Sequence, residues 1–395
     1  MFRPLALTFA LALGLTACGT RESTQTIEVG AALTATAGSE TWEQTLLDAR
    51  GQTVDWWLFG GDARINAYLD DVVAVAAREF DVTLRRVPIA DTAEAVQRVA
   101  AEMASGRADG GGSVDMIWIN GENFAAGAEA ELWLSGWASR LPNRELLDAA
   151  DATLTTDFGL PTQGQESPWS RAAFVLAHDP ARSSGAPTSV HGLLDWAAAN
   201  PGRFTYPAPP DFTGSAFVRQ LVQALGEEEA FTALSQLQAN LWRGGEAFPV
   251  DEAELNQLFG NGEVDFAMSY NPAFVAGEIE RGTFADSVRP FTLDDGVLSN
   301  VSFVTIPANA QDQAGAQVIA NLLLSPAMQA AKADPDVLGV PTVLDLTKLS
   351  AQEAALFARG EDPRILTQFT NLVAELPVSE VDRLEQRWLA DVLGS

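Results

Sequence analysis

Polar side chains follow several apolar stretches of this sequence, in places where they could hold a ligand. The apolar run 114–119 passes directly into Asn120, Glu122 and Asn123, which offer two amides and a carboxylate. Groups of this kind bind a solute through hydrogen bonds and charge. Taken alone, the same loop could equally satisfy local backbone groups, as asparagine often does.

Two further apolar stretches end in the same way. The run 264–270 ends in Tyr270 and is followed by Asn271, and the run 54–59 leads into Gly60-Gly61-Asp62. Open α/β sheets bind their ligands at the carboxyl ends of parallel strands. Three strand exits that all carry ligand-type residues favour a binding role over coincidence.

Motifs of enzymes do not occur in the sequence. It contains no P-loop, no G-x-S-x-G elbow, no H-E-x-x-H motif and no EF-hand loop. His178 and His191 are its only histidines and Cys18 its only cysteine, so neither a cysteine nucleophile nor a Cys/His zinc cluster can be built. We therefore expect no metal and no cofactor. An envelope glycan hydrolase, with two carboxyl groups about 5 to 10 Å apart, is the alternative from another class.

Length and charge limit the possible partners. The 395 residues exceed what one core usually supports, so we expect two domains or one large α/β unit. The 24 basic and 53 acidic residues give a net charge of −29. Such a surface repels phosphate backbones and anionic lipid headgroups, and we expect no nucleic-acid partner.

The first residues resemble a bacterial lipoprotein leader. Residues 1–17 combine Arg3 with a short apolar stretch, too short to cross a membrane, that ends in Leu-Thr-Ala before Cys18. We expect cleavage before Cys18, lipidation of its thiol, and a flexible tether over 18–39. The alternative is an ordinary secretory peptide with an incidental cysteine.

Apolar strands then alternate with amphipathic helices, which predicts an α/β protein. The predicted helices are 40–50, 65–80, 92–105, 189–200, 214–225, 227–239, 252–259 and 314–333. The predicted strands are 54–59, 82–89, 114–119, 172–177, 204–206, 264–270 and 300–306. Ser189 and Asp251 are the expected N-caps of their helices.

Several of these segments together resemble a known family. The lipobox, the tether, the Gly-Gly strand exit, the run 262–268 and the late helical run 320–329 look like an extracellular solute-binding protein of a bacterial ABC importer. The resemblance covers nearly the whole chain after residue 40. The run 117–124 is most similar to the YnjB-like subgroup, near the thiamine, polyamine and iron binders.

The resemblance implies a two-lobed periplasmic-binding-protein-like fold of type II, with α/β lobes. Each lobe would be a mainly parallel sheet flanked by helices, with the ligand cleft between the lobes. Residues 40–168 would form mainly the first lobe and 169–300 mainly the second. Residues 301–395 would return and pack their C-terminal helices on the first lobe. The crossings would lie near 169–177 and 300–306.

The implied solute contacts come from both lobes. Those of the first lobe are Phe59, Gly61, Asp62, Asn120, Glu122 and Asn123. Those of the second lobe are Trp169, Asp211, Thr213, Ser215, Tyr270 and Asn271. Free N–H groups at the helix start 213–215 could hold an anion, although a plain N-cap is the simpler interpretation.

Aromatic rings beside carboxylates favour a cationic solute, an amine or a thiamine-like molecule. An anionic phosphonate or sulfonate is the alternative, supported by the same helix start and by Arg64 or Arg171. Ferric iron is disfavoured, because the resemblance implies that the iron-binding branch of the family uses clustered tyrosines, whereas this chain has only three tyrosines and no adjacent pair. The implied partners are an ABC permease and its ATPase. The protein is expected to be a monomer, held to the extracytoplasmic side of a membrane only by its lipid.

Overall fold

The computed structural model describes residues 40–89, 91–183, 185–358, 362–366, 369 and 371–394. The predicted signal peptide 1–17, the lipidation site Cys18 and the tether 18–39 lie outside these residues. No helix in the described part of the chain is both long enough and apolar enough to cross a membrane.

Strands and helices alternate along the chain as the sequence predicts. The strands are β1 (Thr53–Phe59), β2 (Thr83–Ile89), β3 (Met116–Ile119), β4 (Thr156–Asp157), β5 (Leu160–Pro161), β6 (Glu166–Ala173), β7 (Val175–His178), β8 (Phe266–Ser269), β9 (Arg289–Phe291), β10 (Val297–Thr305) and β11 (Leu372–Ala374). The helices are α1 (Glu40–Asp48), α2 (Ala63–Ala67), α3 (Ala74–Ala77), α4 (Thr92–Ala104), α5 (Gly121–Glu129), α6 (Val190–Ala199), α7 (Phe212–Leu225), α8 (Glu227–Leu237), α9 (Glu252–Gly260), α10 (Phe274–Glu280), α11 (Gln313–Leu323), α12 (Pro326–Ala333), α13 (Ala351–Ala355) and α14 (Val378–Trp388). A π-helical turn, Tyr68–Val73, joins α2 to α3.

The larger sheet belongs to the first lobe. Its strands lie in the order β11-β10-β3-β1-β2, and β6 also pairs with β10. Strand β1 runs parallel to β2 and β3, whereas β10 is antiparallel to β3 and β6. Helices α4 and α11 pack on β1, and this cover lets its inward residues be apolar throughout. The sheet is mainly parallel, as expected, and its core includes Trp56, Trp137 and Trp169.

The predicted helix 314–333 is two helices. Helix α11 ends at Leu323, and the Ser325 hydroxyl accepts a hydrogen bond from the Met328 N–H at 3.3 Å as the cap of α12. Pro326 follows at the first helical position of α12, where no hydrogen bond is lost because the first N–H groups of a helix have no partner within it. The same proline cannot continue α11, because it has no N–H to donate.

The second lobe has a smaller sheet, in the order β8-β7-β9. Both pairings are antiparallel, which corrects the expectation of a mainly parallel sheet in this lobe. Its helices pack around a separate core that is rich in phenylalanine. The predicted strand 204–206 does not form, because these residues pair with no strand among the described residues. Ser189 and Asp251 cap α6 and α9 as predicted.

Helix α14 belongs to the second lobe, not to the first as expected. Leu384 and Trp388 lie in the second core, and the Trp388 Nε1–H donates to the Tyr206 hydroxyl at 3.0 Å. Helix α11, by contrast, packs its residues Ile319 and Leu322 in the first core.

Two antiparallel strands carry the chain between the lobes. Strand β6 leads through Phe174 into β7, and β10 returns beside it, with Ser299 opposite Ala173. The Phe174 N–H donates to the Leu298 carbonyl at 2.8 Å. Strand β11 adds a third connection, since it pairs in parallel with the start of β10 and leads directly to α14.

Candidate functional site

The exit of β1 forms the first wall of the candidate site. The Phe59 side chain is 48% exposed, and a Cβ at Gly61 would collide with its ring. A larger residue at position 61 would have to displace the Phe59 ring, which glycine leaves in place. Asp62 follows as the N-cap of α2, where its Oδ1 accepts hydrogen bonds from the N–H groups of Arg64 and Ile65.

The other oxygen of Asp62 reaches across to the second lobe. The Asn271 Nδ2–H donates to Asp62 Oδ2 at 2.9 Å. The Asn271 Oδ1 accepts from the Ala273 N–H at 2.9 Å, which fixes the orientation of the amide. Beside this contact, Arg64 pairs with Glu280 of α10 at 3.3 Å. The structure thus brings together Asp62 and Asn271, two of the predicted site residues.

The exit of β3 is a helix start, not the loop that the sequence suggested. Asn120 precedes α5 and its Nδ2–H donates to the Val301 carbonyl of β10 at 2.7 Å, so it does not orient Glu122 as an amide neighbour would. Glu122 and Asn123 lie in the first turn of α5. Glu122 is exposed, whereas Asn123 is partly buried.

Charges from several elements act on the Glu122 carboxylate, although the residue is exposed. Burial raises its pKa above the usual range, and the positive charge of Arg219 in the second lobe opposes that rise. The negative charge of Asp382 on α14 raises the pKa further. Charges of both lobes thus act on Glu122, and a positive charge beside it would stabilise its ionised form.

The start of α7 is capped by side chains of the chain itself. Asp211 accepts a hydrogen bond from the Gly214 N–H at 2.8 Å, and burial raises the pKa of its carboxyl to about 6. The Thr213 hydroxyl donates to Glu252 at 2.7 Å, and burial raises the pKa of Glu252 to about 7. The Ser215 hydroxyl donates to Glu385. Carboxylates thus already occupy the groups that an anionic solute would need.

Behind Ser215 lies an ion pair that sequence analysis missed. Arg219 is 1% exposed and forms two hydrogen bonds with Glu375, at 2.7 and 2.9 Å. The Tyr270 hydroxyl donates to the same carboxylate at 2.6 Å. An arginine within the apolar run of α7 signals a buried counterion, but no local pattern points to a glutamate 156 residues away.

Trp169 lies away from the site, in the core of the first lobe. It is 1% exposed and makes edge-to-face contacts with Trp56 and Trp118, with ring centroids 5.7 and 5.2 Å apart. Its placement on the second lobe was therefore wrong. The crossing from lobe to lobe begins only after this residue, and a solute between the lobes cannot touch its ring in this conformation.

A buried pair of acids, Asp157 and Glu166, lies beside the start of α5. Asp157 accepts a hydrogen bond from the Gly121 N–H at 2.7 Å, and burial raises its pKa to about 8. Burial and the neighbouring Asp157 raise the pKa of Glu166 as well. Neither oxygen of Glu166 has a donor among the described residues, and a proton shared with Asp157 would satisfy one of the two.

A cavity of about 190 Å³ lies beside the crossing strands. Its lining includes Arg171, Asn300, Pro272 and Phe369, and none of the predicted solute contacts. Arg171 is paired with Asp151. Both arginines that supported an anionic solute are thus neutralised by acids, Arg64 by Glu280 and Arg171 by Asp151.

The sequence model described as "Bacterial extracellular solute-binding protein" matches residues 72–358, which include the exits of β3 and β8 and the start of α7. The chain belongs to this bacterial extracellular solute-binding family. Protein YnjB of Escherichia coli (strain K12) is a relative, 39% identical over 367 residues that cover 88% of this chain and 93% of YnjB.

Solved structures share the fold of this solute-binding protein. The periplasmic binding protein AfuA from Actinobacillus pleuropneumoniae, with exogenous fructose-6-phosphate bound, superposes with a TM-score of 0.61 and 13% identity, over 87% of this chain and 99% of AfuA. A periplasmic thiamin binding protein gives 0.57 and 17%, over 86% and 94%. At these identities the similarity establishes the two-lobed type II fold and leaves the solute open.

Family and fold together give the general role. The protein is the solute-binding component of an ABC importer, it acts in the periplasm or on the extracytoplasmic side, and it delivers a small solute to the permease. The matching family and fold are those of binding proteins and not of enzymes.

Proposed function

We propose that this solute-binding protein captures a cationic solute, an amine or a thiamine-like molecule, between its lobes. The observation that supports this most strongly is Glu122, an exposed carboxylate on which Arg219 of α7 and Asp382 of α14 act from the second lobe. Its ionised form is the one that burial disfavours, and a bound cation would restore the lost stabilisation.

The charges around Glu122 support the same choice. Asp382 and Glu385 of α14 add negative charge near Glu122, and Arg219, which also acts on Glu122, is already paired with Glu375. An anionic solute would meet this acidic surrounding without a free guanidinium. The exposed rings of Phe59 and Phe212 offer faces for cation–π contact.

Closure of the lobes around the solute is the proposed mechanism. Asp62 and Asn271 already meet across the lobes, while the other contacts are split between them, Glu122 on one side and Asp211 on the other. A solute that touches both sides favours the closed state, because its contacts add to those of the empty protein.

We also propose that the protein is anchored by acyl chains on Cys18 and works as a monomer. The tether 18–39 would then leave the lobes free to reach the permease.

A ligand screen tests the solute class directly. Native mass spectrometry of freshly purified protein identifies any retained solute, and a thermal-shift screen of amines, vitamins and phosphonates follows. A bound solute raises the melting temperature by mass action. We expect amines or thiamine-like compounds to do so; stabilisation by phosphonates alone would contradict a cationic solute.

A further inference from the structure

The side chains around Glu375 form a complete binding site for a carboxylate. The Arg219 guanidinium gives two hydrogen bonds, at 2.7 and 2.9 Å, and the Tyr270 hydroxyl gives a third at 2.6 Å. Both side chains of the ion pair are 2% exposed. Two-point recognition by arginine with an additional donor is how proteins bind free carboxylates.

Glu375, which fills this site, lies on the third connection between the lobes. Glu375 directly follows β11, which pairs with β10 at the crossing, whereas Arg219 lies on α7 and Tyr270 follows β8 of the second lobe. Residue Pro377 then packs near Gly159, and the Val378 N–H donates to the Phe158 carbonyl of the first lobe at 3.3 Å. The segment therefore holds Glu375 in place from both lobes.

The charge of Arg219 extends to the carboxylates of the candidate site. It acts on Glu122 and on Glu385, and its Nη1–H donates at 2.6 Å to the Ser215 hydroxyl that binds Glu385. Without Glu375, the unpaired guanidinium would attract these two carboxylates and compete for them with a cationic solute.

We propose that Glu375 determines which sign of charge the site accepts. By neutralising Arg219 it leaves Glu122 and Glu385 available to a cation and deprives anions of a free guanidinium. This assignment rests on the proposed function, since it assumes that the solute is cationic.

Glu375→Ala, studied in sodium acetate, tests the assignment. The variant leaves Arg219 buried without a counterion, which is strongly destabilising. Acetate fits the vacated carboxylate site, so at about 100 mM it should raise the melting temperature of the variant by about 5 °C over sodium chloride of equal ionic strength. The wild type, whose site is filled, should not respond. Putrescine and thiamine serve as cationic probes; their binding should weaken about tenfold in E375A and recover in acetate.

Asp265→Ala is the matched control. Asp265 also makes a two-point pair, with Arg203 at 2.8 and 2.6 Å, but the Arg203 side chain is 39% exposed and can be hydrated. Acetate should not stabilise D265A. If E375A does not fold, the double variant R219Q/E375Q replaces both charges by amides, and we expect it to bind the cationic probes like wild type and to ignore acetate.

The outcomes separate the two proposals. If the wild type binds neither cationic probe, the proposed solute class is wrong and the role of Glu375 in selecting a cation falls with it; an acetate response of E375A would then show only that Glu375 fills a carboxylate site. If E375A shows no acetate response, or binds a cationic probe as tightly as wild type, the assignment of Glu375 is wrong. Loss of cation binding in R219Q/E375Q would also overturn it, because a purely structural pair would then explain the data.

Discussion

Asp62 of the first lobe accepts a hydrogen bond from Asn271 of the second lobe at 2.9 Å. Each residue is fixed by its own lobe, Asp62 by capping α2 and Asn271 by accepting from Ala273. The two lobes therefore meet through a pair of side chains that need no rearrangement to touch. A substitution that turns this attraction into repulsion should favour the open form.

Asn271→Asp should open the ligand-free protein. The new carboxylate keeps the acceptor for the Ala273 N–H but faces Asp62 with a like charge. Small-angle scattering should show a larger radius of gyration than for wild type. Asn256→Asp is the control, because Asn256 donates at 3.2 Å to Glu278 within the second lobe, and repulsion there should not separate the lobes. An unchanged profile for N271D would show that the contact does not hold the lobes together.

Glu122→Gln should weaken binding of a cationic solute by about 1.5 to 3 kcal/mol, the range for a hydrogen bond to a charged group. The melting temperature without ligand should stay the same or rise, because burial disfavours the charge that is removed. Calorimetric titration beside a thermal melt measures both. Glu129→Gln, an exposed position at the other end of α5, should change neither. A lower melting temperature with full affinity would assign Glu122 a structural role.

The contribution of Asp157 to the free energy of unfolding should fall as the pH rises from about 4 to about 8. Burial raises the pKa of this carboxyl to about 8 in the folded protein, against an unfolded value of about 4. The folded state thus holds the proton more tightly, and its advantage is complete below the unfolded pKa and lost as the pH passes the folded one. In urea unfolding at pH 5 and pH 8, Asp157→Asn should show a smaller difference than wild type. An equal difference in both proteins would mean that Asp157 does not titrate with folding.

Cys18→Ser should release the protein from membranes into the soluble envelope fraction without changing its fold. The tether 18–39 has no other apolar segment, so acyl chains would be the only attachment. Fractionation of cells that express each form, followed by detection of the protein in membrane and soluble fractions, measures this. Retention of C18S in washed membranes at high salt would contradict the lipid anchor.

The strand exits could be predicted from the sequence because each is a local pattern. An apolar run followed by glycine or asparagine identifies the exits of β1 and β8, and the structure joins them through Asp62 and Asn271. The helical character of 121–129 was missed, because Gly121 and the polar residues after it are typical of a loop. The side-chain amide of Asn120, at its N-cap position, donates a hydrogen bond to the Val301 carbonyl, and no spacing along the chain reveals this contact.

The charged partners could not be predicted for a different reason. Arg219 and Glu375, or Ser215 and Glu385, are brought together only by the packing of β11 and α14 onto the second lobe. With 53 acidic residues in the chain, any of them could have been the counterion. Trp169 was predicted as a solute contact but packs in a core, between Trp56 and Trp118. The type of this residue and its place near a crossing suit both roles equally well.

The three connections between the lobes mean that neither lobe is one continuous stretch of polypeptide. In the first, the Tyr68 hydroxyl donates to the Met328 carbonyl, 260 residues further on, and in the second, Tyr206 accepts from Trp388, 182 residues further on. Contacts at such separations close late and slow the search for the native state. Cutting the gene at one point between the lobes would therefore separate segments that share a core, and we expect neither half alone to form a complete lobe.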